Sequence, residues 1–312
     1  MSHFNSKVLL FGEYSILYDS MALVMPLDRF SGELTFDISD EDRPAALRSN
    51  EYLKKFCAFV SGHMDEHFVL EVKRFEQELD NGLFFKSNIP IGYGLGSSGA
   101  LVAAIFLRYL KKAKDVKDEL KQITFDTSKK LKASLAQMES HFHGSSSGID
   151  PLSIVLNQPV LIKGKEDISP VQIPEQKEDG KNVIFLVDTC SPRNTANMMA
   201  EFKRLCSDAD FKRKVDNEMV TFTNNSINSF LNNNTADFYK NLDKLVHFQL
   251  DEMKYFIPAP FQKTVANGLD KGSYFLKVCG AGGGGFMLGF TEDWQTTSEQ
   301  LKDLMIEPIY RF

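Results

Sequence analysis

The stretch Pro90-Ile91-Gly92-Tyr93-Gly94-Leu95-Gly96-Ser97-Ser98-Gly99 decides how this chain is read. It sets glycines and a serine pair in a loop, then runs into the apolar, alanine-rich segment Ala100 to Leu110. Glycine has no Cβ, so backbone N–H groups there can approach a ligand closely and φ can be positive. The helix expected over Ala100 to Leu110 adds the positive end of its dipole at the same point, which makes an anion cradle. Phosphate is the obvious guest. The loop is not a P-loop, because GxxxxGK[ST] is absent, and Gly92-Tyr93-Gly94 supplies only the first half of a dinucleotide fingerprint. The alternative for the loop taken alone is a glycine-rich turn capped by serine.

The rest of the chain narrows the setting. At 312 residues the length suits about two domains. A hydrophobic content of 43% with 25% charged residues is that of a soluble globular protein. The net charge of -6 argues against a general nucleic-acid binder, which would show a basic excess. Basic clusters such as Lys111-Lys112-Ala113-Lys114 are interrupted by acids and read as solvated helix surface. Cys57, Cys190, Cys206 and Cys279 are widely spaced with no CxxC pair, which points to reduced thiols. Neither a signal peptide nor an apolar run of membrane-spanning length is visible, so a cytoplasmic location without membrane partners is expected.

Periodicity sketches a mixed order of elements. Lys7 to Phe11, Ala22 to Leu27 and Gly32 to Ile38 read as strands, and Asn50 to Met64 as a helix. His67 to Phe75 and Gly82 to Ser87 read as a hairpin about Asp80-Asn81-Gly82. Thr127 to His141 reads as a helix, and Ile154 to Leu156 and Val160 to Ile162 as strands about Asn157-Gln158-Pro159. The polar segment Lys163 to Lys181 is the best linker candidate. Val183 to Val187 reads as a buried strand, Ala196 to Phe256 as mostly helical, and Tyr274 to Val278 and Phe286 to Phe290 as strands. The order predicts an α+β protein without strict βαβ alternation.

Two further constellations carry chemistry. Glu139-Ser-His-Phe-His-Gly-Ser-Ser-Ser-Gly-Ile-Asp150 places a carboxylate at a helix end and another beyond a small-residue loop. Such a pair can divide its work: one carboxylate binds Mg²⁺, and the other orients or deprotonates a hydroxyl. Asp150 before Pro151 is also a good turn former. His141 and His143 lack the further His or Cys that zinc needs. Gly280-Ala281-Gly282-Gly283-Gly284-Gly285 lies between two apolar strands. Five glycines in six residues cost much conformational entropy, so this loop is expected to hold a ligand close or to move, with an unusual hairpin as the alternative.

Together and in this order, Lys7-Val-Leu-Leu-Phe-Gly-Glu-Tyr14, Pro90 to Ser98 and Lys277-Val-Cys-Gly-Ala-Gly-Gly-Gly-Gly285 resemble the three motifs of the GHMP small-molecule kinases. The resemblance runs the length of the chain. His143-Gly-Ser-Ser-Ser-Gly-Ile-Asp150 and Pro192-Arg193-Asn194-Thr195 are most similar to the mevalonate kinase branch. The resemblance implies an α+β fold of two domains. An N-terminal domain like ribosomal protein S5 domain 2 would cover 1–175 and hold the ATP/Mg²⁺ site; a ferredoxin-like domain would cover 176–312. It implies ATP-dependent phosphorylation of the 5-hydroxyl of mevalonate, in isoprenoid precursor synthesis. The alternatives are phosphomevalonate kinase, another GHMP small-molecule kinase, and a non-catalytic ligand sensor on the same scaffold. The implied partner is a small-molecule alcohol, with homodimers common in the family.

By the same resemblance, Asp150 would face the substrate hydroxyl with Lys7 beside it. Ser98 and Glu139, the latter eleven residues before Asp150, would hold Mg²⁺. Gly94, Leu95, Gly96, Ser97 and Ser98 would wrap the ATP phosphates, with Gly282 and Gly283 closing over the reacting groups. Glu13, Tyr14, Arg193 and Thr195 would line the substrate side. The chain departs from the family pattern at Asn5-Ser6 (usually Pro-Gly), Tyr14 (usually His in mevalonate kinases), Gly99 (usually Ala) and Ser146 (commonly Pro). Tyr14 leans toward the phosphomevalonate kinases.

Overall fold

The apolar segment after the glycine-rich loop is a helix whose every face is covered. Ala100, Val102, Ala103, Ala104, Ile105 and Phe106 are all fully buried, as a helix without a polar side must be. The computed structural model describes residues 3–62, 68–111, 125–164, 167–192 and 195–312. Met64, His67, Lys112 to Lys114 and Arg193, all used in reading the sequence, lie outside the described residues.

Two compact units gather the chain, each from separate segments. The first comprises Met1–Lys7, Pro26–Pro90 and Gly96–Gln158; the second comprises Val8–Met25, Ile91–Leu95 and Pro159–Phe312. They are units of spatial contact, a different quantity from the family domains expected over 1–175 and 176–312. Strands β1 (Phe4–Phe11) and β2 (Met21–Thr35) each contribute residues to both.

In the first unit, β2 pairs antiparallel with β3 (Phe84–Ser87), from Gly32 opposite Ser87 to Thr35 opposite Phe84. Among the described residues five helices accompany it: α1 (Arg43–Gly62), α2 (Val72–Asp80), α3 (Ser97–Tyr109), α4 (Phe125–His143) and α5 (Ile149–Leu156). Helix α3 packs against α2, α4 and α5, and α1 packs against α2, α4 and β3. The buried Asn50 of α1 donates to the carbonyls of Leu79 (2.9 Å) and Leu83 (2.7 Å), which fixes the turn between α2 and β3.

Two sequence expectations fail here for a common reason. The hairpin expected over 67–87 contains α2, because Val72, Phe75 and Leu79 recur at helical spacing and bury Phe75 and Leu79 on one side. The strand expected at Ile154 to Leu156 is the end of α5, bounded by Gly148 and Asn157 in left-handed conformations. A short continuous apolar run does not reveal its period.

In the second unit, β4 (Val160–Lys163) pairs antiparallel with Met21–Val24 of β2 and with β5 (Asp167–Pro170). Strand β5 therefore occupies part of the expected linker. A four-stranded antiparallel sheet runs in the order β7-β8-β6-β9, from β6 (Val183–Asp188), β7 (Phe275–Val278), β8 (Phe286–Thr291) and β9 (Ile306–Arg311). Helices α6 (Thr195–Leu205), α7 (Ala209–Lys214), α8 (Val220–Leu231), α9 (Thr235–Glu252), α10 (Ala259–Lys271) and α11 (Trp294–Gln300) accompany it. Aromatic rings fill its core: Phe11 stacks on Phe290 at 5.6 Å and meets Phe238 edge-on at 6.0 Å. No helix among the described residues is long and apolar enough to cross a membrane.

One ionic contact in the first unit makes stability depend on pH. Glu78 of α2 accepts from Arg108 Nε at 2.6 Å and from the Tyr109 hydroxyl at 2.6 Å, both at the end of α3. Partial burial pushes the Glu78 carboxyl up, but the Arg108 and Tyr109 hydrogen bonds outweigh it and hold the group below the ordinary glutamate value. A carboxyl with a depressed folded-state pKa stabilises the protein above its unfolded pKa, and that stability is lost as pH falls through the folded value. Glu78→Gln is expected to lower stability by about 1 kcal/mol at pH 7. It should also narrow the gap between melting temperatures measured at pH 7 and at pH 3. An unchanged gap would show that other carboxylates carry the acid sensitivity.

Candidate active site

Within the first unit, α3 begins at Gly96, which has a left-handed backbone (φ 77°) and no side chain to cap the first turn. The helix start is thus left to its backbone N–H groups and to the hydroxyls of Ser97 and Ser98. A Cβ on Gly96 would lie 3.1 Å from Lys7 Cε, and one on Gly99 would lie 3.1 Å from Asp150 Cβ and 3.0 Å from the Pro151 nitrogen. Both glycines therefore admit a charged neighbour to the helix start. Lys7 is buried and its Nζ sits 2.8 Å from Asp150 Oδ1, while Asp150 keeps 36% of its side chain exposed. A buried ammonium thus holds a carboxylate that still faces solvent.

On the same helix start, Ser98 Oγ donates to Glu139 Oε1 at 3.0 Å. Glu139 comes from α4 and is only 4% exposed. Its other oxygen, Oε2, accepts from Ser146 Oγ. One carboxylate and neighbouring hydroxyls form a hard, anionic oxygen set, which suits Mg²⁺ and not a soft metal. The residues present therefore fit the expected cation.

The second unit holds the other glycine-rich loop. Lys277 on β7 is fully buried and its Nζ lies 2.5 Å from Glu13 Oε1, also buried. Lys277 donates as well to the Val278 carbonyl at 2.9 Å. Burial pushes the Glu13 carboxyl above its ordinary value, against the pull of Lys277 and of the Gly280 backbone hydrogen bond. Tyr14 is buried, its hydroxyl donating to the Ala281 carbonyl at 2.5 Å. Its ring stacks on Phe202 at 4.3 Å and meets Phe256 at 5.0 Å, and these contacts hold it at a strained φ of 61°.

The Gly280–Gly285 loop is packed by protein. Gly283 N–H donates to the Phe256 carbonyl at 2.7 Å, Gly285 N–H to the Ser191 carbonyl at 2.6 Å, and Thr189 Oγ1 to the Gly285 carbonyl at 2.6 Å. A Cβ on Gly282 would lie 2.5 Å from the Phe256 carbonyl oxygen. Close approach does explain the glycines, but it is the protein's own backbone that approaches.

Of the residues named from the sequence, Lys7, Gly96, Ser97, Ser98, Glu139 and Asp150 fall together in the first unit. Glu13, Tyr14, Gly94, Leu95, Thr195, Gly282 and Gly283 fall in the second. Leu95 is fully buried, so only its backbone can serve a ligand. Thr195 opens α6 and is exposed; Arg193 lies outside the described residues. Sequence reasoning gave no role to Lys277, although a lysine in a buried apolar strand demands a buried carboxylate partner. It gave none to Ser146 either.

Comparison with known proteins bears on the fold. Residues 59–158 match the family model for the GHMP kinases N terminal domain. The L. major mevalonate kinase, solved in complex with R-mevalonate, superposes with a TM-score of 0.66 at 16% identity. That superposition covers 99% of this chain and 95% of that one. The chain has the GHMP kinase fold. The α+β architecture implied by the resemblance is thus the one observed. The mevalonate kinase of Archaeoglobus fulgidus is 28% identical over 206 residues, 64% of this chain. The match spans 61% of that relative's length. The Streptococcus pneumoniae phosphomevalonate kinase, in complex with phosphomevalonate and AMPPNP, superposes with a TM-score of 0.60 at 16% identity, covering 100% of this chain and 98% of that one.

The buried pair of this GHMP-fold chain makes a direct prediction. Lys277→Met leaves the Glu13 carboxyl buried without its cation and should cost about 3–5 kcal/mol of unfolding free energy. Adding Glu13→Gln removes the stranded charge and should recover most of that loss. Urea denaturation of both variants checks it; a double variant no more stable than the single one would show that the pair is not the source of the cost.

Proposed function

We propose that this chain is an ATP- and Mg²⁺-dependent kinase that phosphorylates the 5-hydroxyl of mevalonate, supplying isoprenoid precursor synthesis. The observation that carries the proposal is the Lys7–Asp150 contact of 2.8 Å, set against the start of α3 by Gly96 and Gly99. Phosphoryl transfer needs positioned groups and charge neutralisation more than covalent chemistry. In this reading the Asp150 carboxylate accepts a hydrogen bond from the acceptor hydroxyl and takes its proton as the oxygen attacks the γ-phosphorus, while the bond from that phosphorus to the β–γ bridging oxygen breaks and ADP leaves. The Lys7 ammonium lowers the hydroxyl's pKa and steadies the charge spreading over the phosphoryl oxygens. Gly94, Leu95, Gly96 and Ser97 offer backbone N–H groups to the phosphates. Ser98 and Glu139 would hold Mg²⁺, which when bound neutralises phosphate charge.

Arg193 and Thr195 would serve the acceptor side. Glu13 and Tyr14, whose side chains are engaged with Lys277 and Ala281, would act there indirectly, by holding the 280–285 loop that carries Gly282 and Gly283. The one residue favouring a phosphorylated acceptor in the sequence is Tyr14. Its hydroxyl and ring are both committed to protein contacts, so it adds no support for that alternative.

A coupled ADP-release assay is expected to show turnover with mevalonate and none with 5-phosphomevalonate. Turnover confined to the latter would transfer the assignment to phosphomevalonate kinase, and none with any alcohol would favour a ligand sensor. Asp150→Asn is expected to lower kcat by about 10²–10⁴-fold while a non-hydrolysable ATP analogue still binds. Undiminished turnover in that variant would remove Asp150 from the mechanism.

A further inference from the structure

We infer that Ser146 is a positioning residue for the cation site, one that sets the orientation of the Glu139 carboxylate; this rests on the kinase reading above. Glu139 is buried, and its two oxygens are not equivalent. Oε1 faces Ser98 of α3 at 3.0 Å, whereas Oε2 is hydrogen-bonded to Ser146. A carboxylate oxygen accepts, so the Ser146 hydroxyl donates its one proton to Oε2. The same hydroxyl oxygen accepts from Gly148 N–H at 2.9 Å, which ties the serine to the start of α5.

Two consequences follow from this orientation. The carboxylate cannot rotate about its terminal bond without breaking the Ser146 bond, so Oε1 stays paired with the Ser98 hydroxyl as a two-oxygen face. Ser146 is also tied to Gly148, the residue that precedes α5, and α5 carries Asp150 in its first turn. The loop from 144 to 148 thus couples the carboxylate proposed for the cation to the helix carrying the carboxylate proposed for the hydroxyl. Groups that orient a metal ligand without touching the metal typically change affinity by about 10–100-fold when removed.

The test reads cation binding apart from turnover. Mn²⁺ binding in the presence of a non-hydrolysable ATP analogue is measured by electron paramagnetic resonance on the full chain, with thermal melts alongside. Ser146→Ala is expected to weaken Mn²⁺ at least about 10-fold with a melting temperature near that of the parent. Ser146→Thr, which keeps the hydroxyl, should restore most of the affinity, and Glu139→Gln should remove the site. Parent-like Mn²⁺ affinity in Ser146→Ala, with Glu139→Gln impaired, would overturn the inference and leave the kinase reading standing. A parent protein that binds no Mn²⁺–nucleotide would overturn both. Should Ser146→Ala fail to fold, Ser146→Cys, a weaker donor, is expected to show the same loss, and parent-like affinity there would likewise overturn the inference.

Discussion

The close approach of α5 to the first turn of α3 governs the first unit. It is tightened by the absence of a methyl group at residue 99, where a Cβ would sit 3.0–3.1 Å from the Asp150–Pro151 backbone and from Asp150 Cβ. A methyl there would push the two helix starts apart by a few tenths of an ångström. With glycine in place, Asp150 reaches Lys7, and Lys7 in turn lies along Gly96. The charged pair and the N–H groups of α3 then share one small region. From Ala100 to Phe106 helix α3 is apolar and buried, and it packs on α2, α4 and α5, so its first turn stands on a rigid body. Rigidity of that kind lets a site orient reactants without first paying an ordering cost.

A different constraint operates in the second unit, where charge is buried completely. Desolvating Lys277 and Glu13 is costly, and their attraction offsets it only because the geometry is close and a further hydrogen bond, to the Val278 carbonyl, satisfies the ammonium. A hydrophobic pair of the same volume could be as stable. What the ion pair adds is direction: Glu13 has one place to go, and the Gly280 backbone is hydrogen-bonded to it there. Tyr14, the next residue, has its hydroxyl on Ala281, so two consecutive side chains of the first motif engage the loop of the third.

How far the sequence could be read follows from these two cases. That Lys7 lies beside Asp150 was legible because the motif resemblance places the two together, and the structure sets them 2.8 Å apart. The α+β order was legible because α3, β6, β7 and β8 are long or apolar enough to show their character. The helix Val72–Asp80 was not, since nine residues give only about two and a half turns and the alternation around Phe75 resembles a strand. Ser146 was illegible for another reason. It is one of three consecutive serines, and which of them meets Glu139 is set by the left-handed turn at Gly148 and the packing of α5, neither of which leaves a trace in residue type. Lys277 is the reverse: its burial in an apolar strand was readable, but its partner lies 264 residues away.

The two glycine-rich loops, similar in composition, are therefore glycine-rich for different physical causes. At Gly96 and Gly99 the missing side chains make room for Lys7 and Asp150 beside the start of α3. At Gly282 the missing side chain makes room for the carbonyl of Phe256, and the neighbouring N–H groups of Gly283 and Gly285 are taken by Phe256 and Ser191. The second loop is held by the protein itself, and a loop so held is a poor candidate for a mobile flap.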